Sequence, residues 1–252
     1  MKLIGIDSSG LVASVAIMED DKLVAEYTVN NKKTHSQTLL PMLEEIVQST
    51  GLDLKEVDAI AIAAGPGSFT GLRIGSATAK GLGLALKKPI VPVSTVDALA
   101  YNMYGTDCLV CPIMDARRNQ VYTGIYEFIK STAQDGADSE GASSAFCKYQ
   151  LNVIKEACAV PIEEIAQALN ETGRKVIFLG DGVPVFAEQL KTLMKVDYSF
   201  APAHLALQKA GCVASLGMEK FCNGIYEDAA MHSPEYLRLS QAERERKEAG
   251  LL

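Results

Sequence analysis

The sequence predicts an α/β fold in which one β-β-β-α-β-α-β unit occurs twice, giving two mixed sheets flanked by helices. Three observations carry this reading. The order of strand-like and helix-like patterns that begins at residue 2 begins again near residue 108. Each half opens with an apolar strand that ends in an aspartate, Asp7 and Asp115. Each half also places a glycine loop between a later strand and a helix, at 65–71 and 180–182. Consecutive strands joined by tight turns pair antiparallel, and strands separated by helices pair parallel, so both sheets should be mixed.

In the first half, residues 2–7 read as a strand, and 12–19 and 23–29 as two more, joined as a hairpin across Asp20 and Asp21. Residues 38–50 carry Leu39, Leu40, Leu43, Ile46 and Val47 at helical spacing. Pro41 is expected in the first turn of that helix, where no amide is needed. A strand at 58–64, a glycine-rich helix at 71–86 and a strand at 90–93 follow. In the second half, 108–115, 120–128 and 149–155 read as strands. A helix at 161–170 presents Ile162, Ile165, Ala166 and Leu169. Then come a strand at 175–179, a helix at 183–194, a short strand at 197–200 and a last helix at 205–222. Two subdomains are expected, 1–100 and 101–252, with the helix near 205–223 packing back onto the first. Residues 131–144 are rich in Ser, Gly, Asp and Ala and read as a long flexible hairpin loop inside the second.

Composition narrows the function classes. The chain has 252 residues, 48% hydrophobic, enough for a sizeable core. Its net charge of -7 argues against a surface that grips nucleic acid unaided. It leaves open RNA reached through a basic partner. The apolar stretch after Lys2 is too short for a secretory signal, and no apolar run suits a bilayer span, so a cytoplasmic location is expected. Cys108 and Cys111 form a CxxC inside a strand-like run, without a second pair or a nearby His, and read as structural thiols. Only His35, His204 and His232 are present, and no two stand at ligand spacing. No catalytic residue and no metal ligand set is assigned.

The most specific stretch is GPGSFTGLRIG at 65–75. Glycines between a strand and a helix allow close approach to a phosphate or to another backbone. Behind them Gly71, Gly75, Ala79 and Gly83 recur every four residues and form a ridge on one helix face. Glycine inside a helix costs about 1 kcal/mol relative to alanine, so the run requires close packing. Ala77, Gly81 and Ala85 make a second small-residue stripe. One stripe can press on the chain's own sheet, which leaves the other for a helix of another chain. The partner surface expected here comprises Leu39, Leu43, Ile46 and Val47 of the first helix with Gly71, Leu72, Gly75, Ala79, Leu82 and Gly83 of the second. The alternative is that the ridge serves its own sheet. Ser68 and Thr70 read as caps, since no GxSxG turn or partnered His activates them. His35 reads as packing against, or capping, the first helix. Arg73, expected in the first helical turn, opposes the helix dipole and should meet a carboxylate or phosphate.

Taken together, IGIDSS (4–9), HSQTLLP (35–41), AAGPGSFTGLRIG (63–75), VSTVDALA (93–100), DARRNQVYTGIY (115–126) and PEYLR (234–238) resemble the TsaB family, also called YeaZ. The resemblance runs from residue 3 to about residue 238. It implies the duplicated ribonuclease H-like fold of the actin-like ATPase and sugar kinase superfamily. It further implies a non-catalytic partner that binds and stabilises a TsaD-type transferase. That enzyme places a threonylcarbamoyl group on adenosine 37 of ANN-decoding tRNAs. A TsaE-type ATPase would join the pair, tRNA would be contacted only indirectly, and a homodimer is the alternative state when the chain is alone. The paralogue's HxxxH metal motif has no counterpart, because Leu39 stands four residues after His35.

The superfamily resemblance also implies that Asp7 takes the place of a carboxylate that holds water-coordinated magnesium. Ser8, Ser9, Arg73 and Asp115 are the other implied nucleotide or phosphate contacts. Arg117 and Arg118 stand where small residues would admit a phosphate, and Gly180-Asp181-Gly182 is a shortened nucleotide loop. Vestigial phosphate geometry is therefore expected, with no cofactor required by this chain and ATP or ADP at the partner interface as the alternative. The second reading is a small ATP-binding kinase or ATPase of the actin-like superfamily.

Overall fold

In the computed structural model, which describes residues 1–31, 34–131 and 149–238, β1 (Lys2–Asp7) lies at the middle of the first sheet. β2 (Ala13–Glu19) and β3 (Lys22–Val29) add to it antiparallel. The chain then forms α1 (His35–Thr50), crosses to β4 (Ala59–Gly65), returns through α2 (Phe69–Leu86) and adds β5 (Ile90–Ser94), both strands parallel to β1. The strand order is β3-β2-β1-β4-β5. A short helix, α3 (Thr95–Tyr101), leads into the second half.

The second half repeats the same path. β6 (Leu109–Asp115), β7 (Gln120–Lys130) and β8 (Tyr149–Pro161) form the antiparallel part. α4 (Ile162–Thr172), β9 (Val176–Leu179), α5 (Val183–Leu193) and β10 (Tyr198–Phe200) complete the unit. The order β10-β9-β6-β7-β8 is that of the first sheet read from the other edge, so the predicted duplicated α/β fold is what the chain adopts. α6 (Ala210–Cys222) is the last helix among the described residues.

Strand period dictates the layers. Ile4 and Ile6 of β1 face Leu39, Met42, Leu43 and Ile46 of α1, while Leu3 points to the opposite side. Because helices cover both faces, β1 and β4 read as nearly continuous apolar runs rather than alternating ones. The covering of the second face is exchanged between halves. α6 lays Val213, Ala214 and Leu216 against Leu3, Ala59 and Ala61 of the first sheet. α3 lays Val96, Leu99 and Ala100 against Val110, Met114 and Leu179 of the second.

Several boundaries differ from expectation: β8 runs six residues past its expected end, to Pro161, and three further differences concern helices. α3 was not expected, because Thr95 and Val96 look like strand residues. Ser94 caps it: its hydroxyl donates to Asp97 Oδ1 at 2.6 Å, and the Asp97 amide donates back at 3.4 Å. This reciprocal pair is the start signal that strand-like composition masked. α1 begins at His35, one turn early, so Pro41 lies in the second turn and not the first. It is tolerated on the exposed side of the helix. α6 begins at Ala210 rather than at 205. Of the predicted loop at 131–144, all but Ser131 lies outside the described residues.

One hydrogen bond ties the connecting helix to the second sheet. Tyr126, fully buried in β7, donates its hydroxyl to Asp97 Oδ1 at 2.8 Å. Burial, with the Asp97 carboxylate beside it, raises the phenol far above its ordinary range, so the group remains a donor at any working pH. Tyr126→Phe should lower unfolding free energy by about 1.5–3 kcal/mol, the range for a hydrogen bond to a charged group. Urea denaturation of both proteins measures this.

Candidate functional site: the interlobe cleft and helix α2

A cleft of about 560 Å³ opens between the halves. Its first wall is the loop after β1 (Ser9, Gly10, Leu11) with the glycine turn and start of α2 (Gly67, Ser68, Phe69, Leu72). The facing wall is the β6–β7 turn (Asp115, Ala116, Arg117, Arg118) with Tyr122, Asp181 and Val185. Residues Glu235 to Arg238 border both.

Asp7 sits behind the first wall and is 1% exposed. Its Oδ1 accepts from the Ser9 amide at 2.9 Å and the Ser9 hydroxyl at 2.6 Å, and its Oδ2 has no protein partner. Burial pushes the carboxyl from 3.8 up to about 6, against the opposing pull of the Ser9 hydrogen bonds and of His35. His35, the first residue of α1, pairs through Nε2 with the Gly10 carbonyl at 2.9 Å, which pins that helix to the loop after β1. Gln208, 1% exposed, lies against Gly10 with both amide atoms unpartnered. The polar interior behind the loop is therefore under-satisfied, which is the usual mark of a place that takes water or a ligand.

Asp115 ends β6 as Asp7 ends β1, but it is partly open. It accepts from the Arg117 amide at 2.8 Å and pairs with the Arg117 guanidinium at 3.1 Å. Arg117, Arg118 and Asn119 all have positive φ, at 64°, 57° and 58°. Such a run costs roughly 1–2 kcal/mol per residue for side chains bearing a β-carbon, with Asn the most tolerant. Asp181 faces Asp115 from the 180–182 loop, and burial raises its carboxyl while the Asp115 amide draws it down. Among the described residues no three His, Cys, Asp or Glu side chains converge as a metal-ligand set. Cys108 and Cys111 are free thiols, and Cys111 is buried in β6.

The segment after α6 completes the first wall. His232, 1% exposed, joins Ser76 Oγ at 2.9 Å through Nε2 and Glu227 at 2.6 Å through Nδ1. This is the order of a serine, histidine and carboxylate relay. Ser76 is only 4% exposed and does not line the cleft, so the relay is a structural tie and offers no nucleophile to a substrate.

The chain matches the family described as "TsaD: tRNA N6-adenosine threonylcarbamoyltransferase" over residues 22–246. It is 30% identical over 245 residues to the tRNA threonylcarbamoyladenosine biosynthesis protein TsaB of Bacillus subtilis, and the match covers 96% of each chain. This chain belongs to the TsaB family. The protein of the same name from Escherichia coli is 32% identical over 142 residues, 56% of this chain and 61% of that one. YeaZ from Pseudomonas aeruginosa superposes with a TM-score of 0.73 at 26% identity, covering 94% of this chain and 99% of that structure. A second structure from that organism, described as similar to peptidase YEAZ, gives 0.72.

In this TsaB-family chain the glycine ridge of α2 faces inward. A β-carbon at Gly71 would overlap the Ser8 carbonyl, and one at Gly75 would overlap the Ser8 hydroxyl. Gly83 abuts Ala229 of the returning segment. Leu39, Leu43, Ile46, Leu72 and Ala79 are buried in the chain's own core. Val47 and Leu82 pack against that core, half-buried. Eight of the ten residues expected on a partner surface are thus buried in the isolated chain, while Val47 and Leu82 stay partly exposed. The exposed side of α2 carries Arg73, Ala77, Gly81, Leu84 and Ala85, with Leu84 58% exposed and Gly81 facing open space.

Other site expectations separate in the same way. Ser68 caps α2, accepting from the Gly71 amide at 3.3 Å. Ser8 donates to the Gly71 carbonyl at 2.9 Å and lies under the helix rather than in the cleft. Arg73, in the second turn and not the first, pairs with no carboxylate among the described residues. It stacks over the Phe69 ring at 4.0 Å and donates from Nε to the Tyr236 hydroxyl at 3.2 Å. The structural use of His232, Glu227 and Gln208 was missed, because nothing in their local sequence announces contacts more than a hundred residues away.

The Asp7 carboxyl makes stability pH-dependent. The unfolded chain loses this proton near pH 3.8 and the folded chain near 6, so the advantage is complete below about pH 4 and is lost as pH rises toward 6. Asp7→Asn keeps an acceptor for Ser9 and cannot ionise. Relative to wild type, it should gain roughly 2–3 kcal/mol between pH 4 and pH 7. Urea midpoints at the two pH values test this, and an unchanged difference would refute the burial argument. Gly75→Val should destabilise the isolated chain by at least about 1–3 kcal/mol through overpacking against Ser8, read as a lowered melting temperature.

Proposed function

We propose that this chain acts in tRNA threonylcarbamoyladenosine biosynthesis as the non-catalytic partner of a TsaD-type transferase. The observation that carries this reading is the end-to-end match to a protein named for that pathway, 96% of each chain. The site chemistry supports it. Ser76 is buried under its histidine, and Arg117 and Arg118 crowd the turn that would have to approach a phosphate. The transferase is held by the outer side of α2, through Ala77, Gly81, Leu84 and Ala85, with exposed Leu40 of α1 as a further candidate contact. Small residues there let a second helix approach closely, and Leu84 supplies apolar area.

The same surface serves a homodimer when the transferase is absent. A TsaE-type ATPase joins the assembled pair, and tRNA is reached through the complex, in keeping with the net charge of -7. Any ATP or ADP belongs to the assembly rather than to this chain alone. The proposed location is the cytoplasm, and no helix among the described residues is long and apolar enough to cross a membrane.

Gly81→Arg combined with Leu84→Glu tests the surface. Gly81 meets nothing within 4 Å, and arginine is the better helix former, so the variant should fold at least as stably as wild type. Co-expression with a TsaD-type transferase should show pairing weakened at least ten-fold, measured by sizing and calorimetry. Undiminished co-purification of the folded variant would remove this surface from consideration. Failure of the wild-type chain to pair at all would remove the function.

A further inference from the structure

Beyond α6 the chain returns along α2 and is held there at three points. Ser76 Oγ meets His232 Nε2 at 2.9 Å, and Gly83 receives Ala229. Between them Lys80 Nζ donates to the carbonyls of Ala230 and His232, each at 2.9 Å. Positions 76, 80 and 83 recur at helical spacing, so one side of α2 carries the returning segment. Ala77, Gly81 and Leu84 face solvent and each stand one residue further on. One residue is about 100° of helix rotation, so the solvent side adjoins the covered side along its length.

Within the segment the backbone makes a tight turn. Glu227 exchanges two backbone hydrogen bonds with Ile90 of β5, both at 2.9 Å. Asp228 Oδ1 then accepts from the Ala230 amide at 2.7 Å, and the Asp228 carbonyl accepts from the Met231 amide at 3.0 Å. Lys80 holds the carbonyls on both sides of Met231, and Glu227 fixes the His232 ring at 2.6 Å. The backbone around Met231 is thus tied down, yet its side chain is 75% exposed, the most of any large apolar residue among the described residues. It does not stand alone, because the turn is a raised rim beside Ala77, Gly81 and the exposed Leu84. A pinned turn has already lost the backbone freedom that binding would otherwise remove.

We propose that the turn at 228–231 belongs to the surface that holds the transferase, with Met231 as its anchor. This rests on the partner reading given above and adds a third element to it. The occupant is a helix of the transferase, lying on Ala77 and Gly81 with its flank against the rim. Charge favours a foreign helix over a second copy. α2 and its C-cap carry Arg73, Lys80 and Lys87 and no carboxylate, so an acidic helix complements them and another α2 repels them. Methionine suits the rim, since its unbranched side chain adapts to the flank it meets.

The test uses the full chain with a TsaD-type transferase, and calorimetry reads their affinity. Met231→Ala should weaken pairing about five-fold and Met231→Glu at least about ten-fold, with the melting temperature unchanged because the side chain stands in water. Asp228→Ala leaves Met231 in place and removes the side-chain acceptor of the Ala230 amide. It should speed hydrogen exchange at that amide and weaken pairing about three-fold, while Asp228→Asn, which keeps an acceptor, should restore both. Undiminished pairing of the Met231→Glu chain would overturn the proposal and leave the partner reading standing. Loss of self-association alone, with normal pairing to the transferase, would overturn it too. Faster exchange in Asp228→Ala without weaker pairing would remove the pinned turn as its basis. A wild-type chain that does not pair at all would overturn both readings.

Discussion

The close approach of α2 to the loop after β1 is the contact on which the rest of this structure depends. Ser8 donates to the Gly71 carbonyl from below, Ser68 donates its amide to the Ser9 carbonyl, and no side chain stands between the two backbones. This seats the helix against the end of the strand. Asp7 is thereby closed off from solvent, and the first turn of α2 becomes a wall of the cleft. The helix then has three sides with three uses. One faces the sheet, one receives the returning segment through Ser76, Lys80 and Gly83, and one is left to solvent.

The electrostatics of the cleft follow from unequal treatment of two equivalent aspartates. Asp7 and Asp115 hold matching strand-end positions, yet one is sealed and the other is open to a guanidinium. The sealed carboxylate loses hydration, so its neutral form gains weight, and its second oxygen finds no donor. The open one is held by Arg117 in a turn whose backbone is strained. Arg117 at the cleft and Arg73 beside it are both engaged by their own chain.

Most of the architecture was legible because it rests on local patterns. The two strands that end in aspartate, the hairpin at Asp20, and the apolar spacing of α1 and α4 each decide their own element within a few residues. The glycine spacing of α2 correctly demanded a close neighbour, but it could not say which one. Gly75 against Ser8 and Gly83 against Ala229 are pairings across 67 and 146 positions, and periodicity is blind to them. α3 escaped for the opposite reason, since a local capping pair outweighed β-branched residues that favour a strand. Arg73 was read through the helix dipole alone, whereas an aromatic ring and a phenol from residue 236 satisfy it.

The exchange of covering helices sets an order on the making of the molecule. Strands β1 to β5 leave the ribosome first, yet one face of their sheet is covered by α6, which is synthesised more than a hundred residues later. Until then Leu3, Ala59 and Ala61 have no lasting apolar neighbour on that side, and the sheet waits with a greasy flank exposed. The second half, by contrast, emerges with its cover, α3, already in hand. The later-made half is thus equipped to fold as it appears, and the earlier-made half is finished last. A nascent chain of this kind has reason to meet a chaperone early, and a ribosome stalled before α6 would leave behind a fragment prone to aggregate.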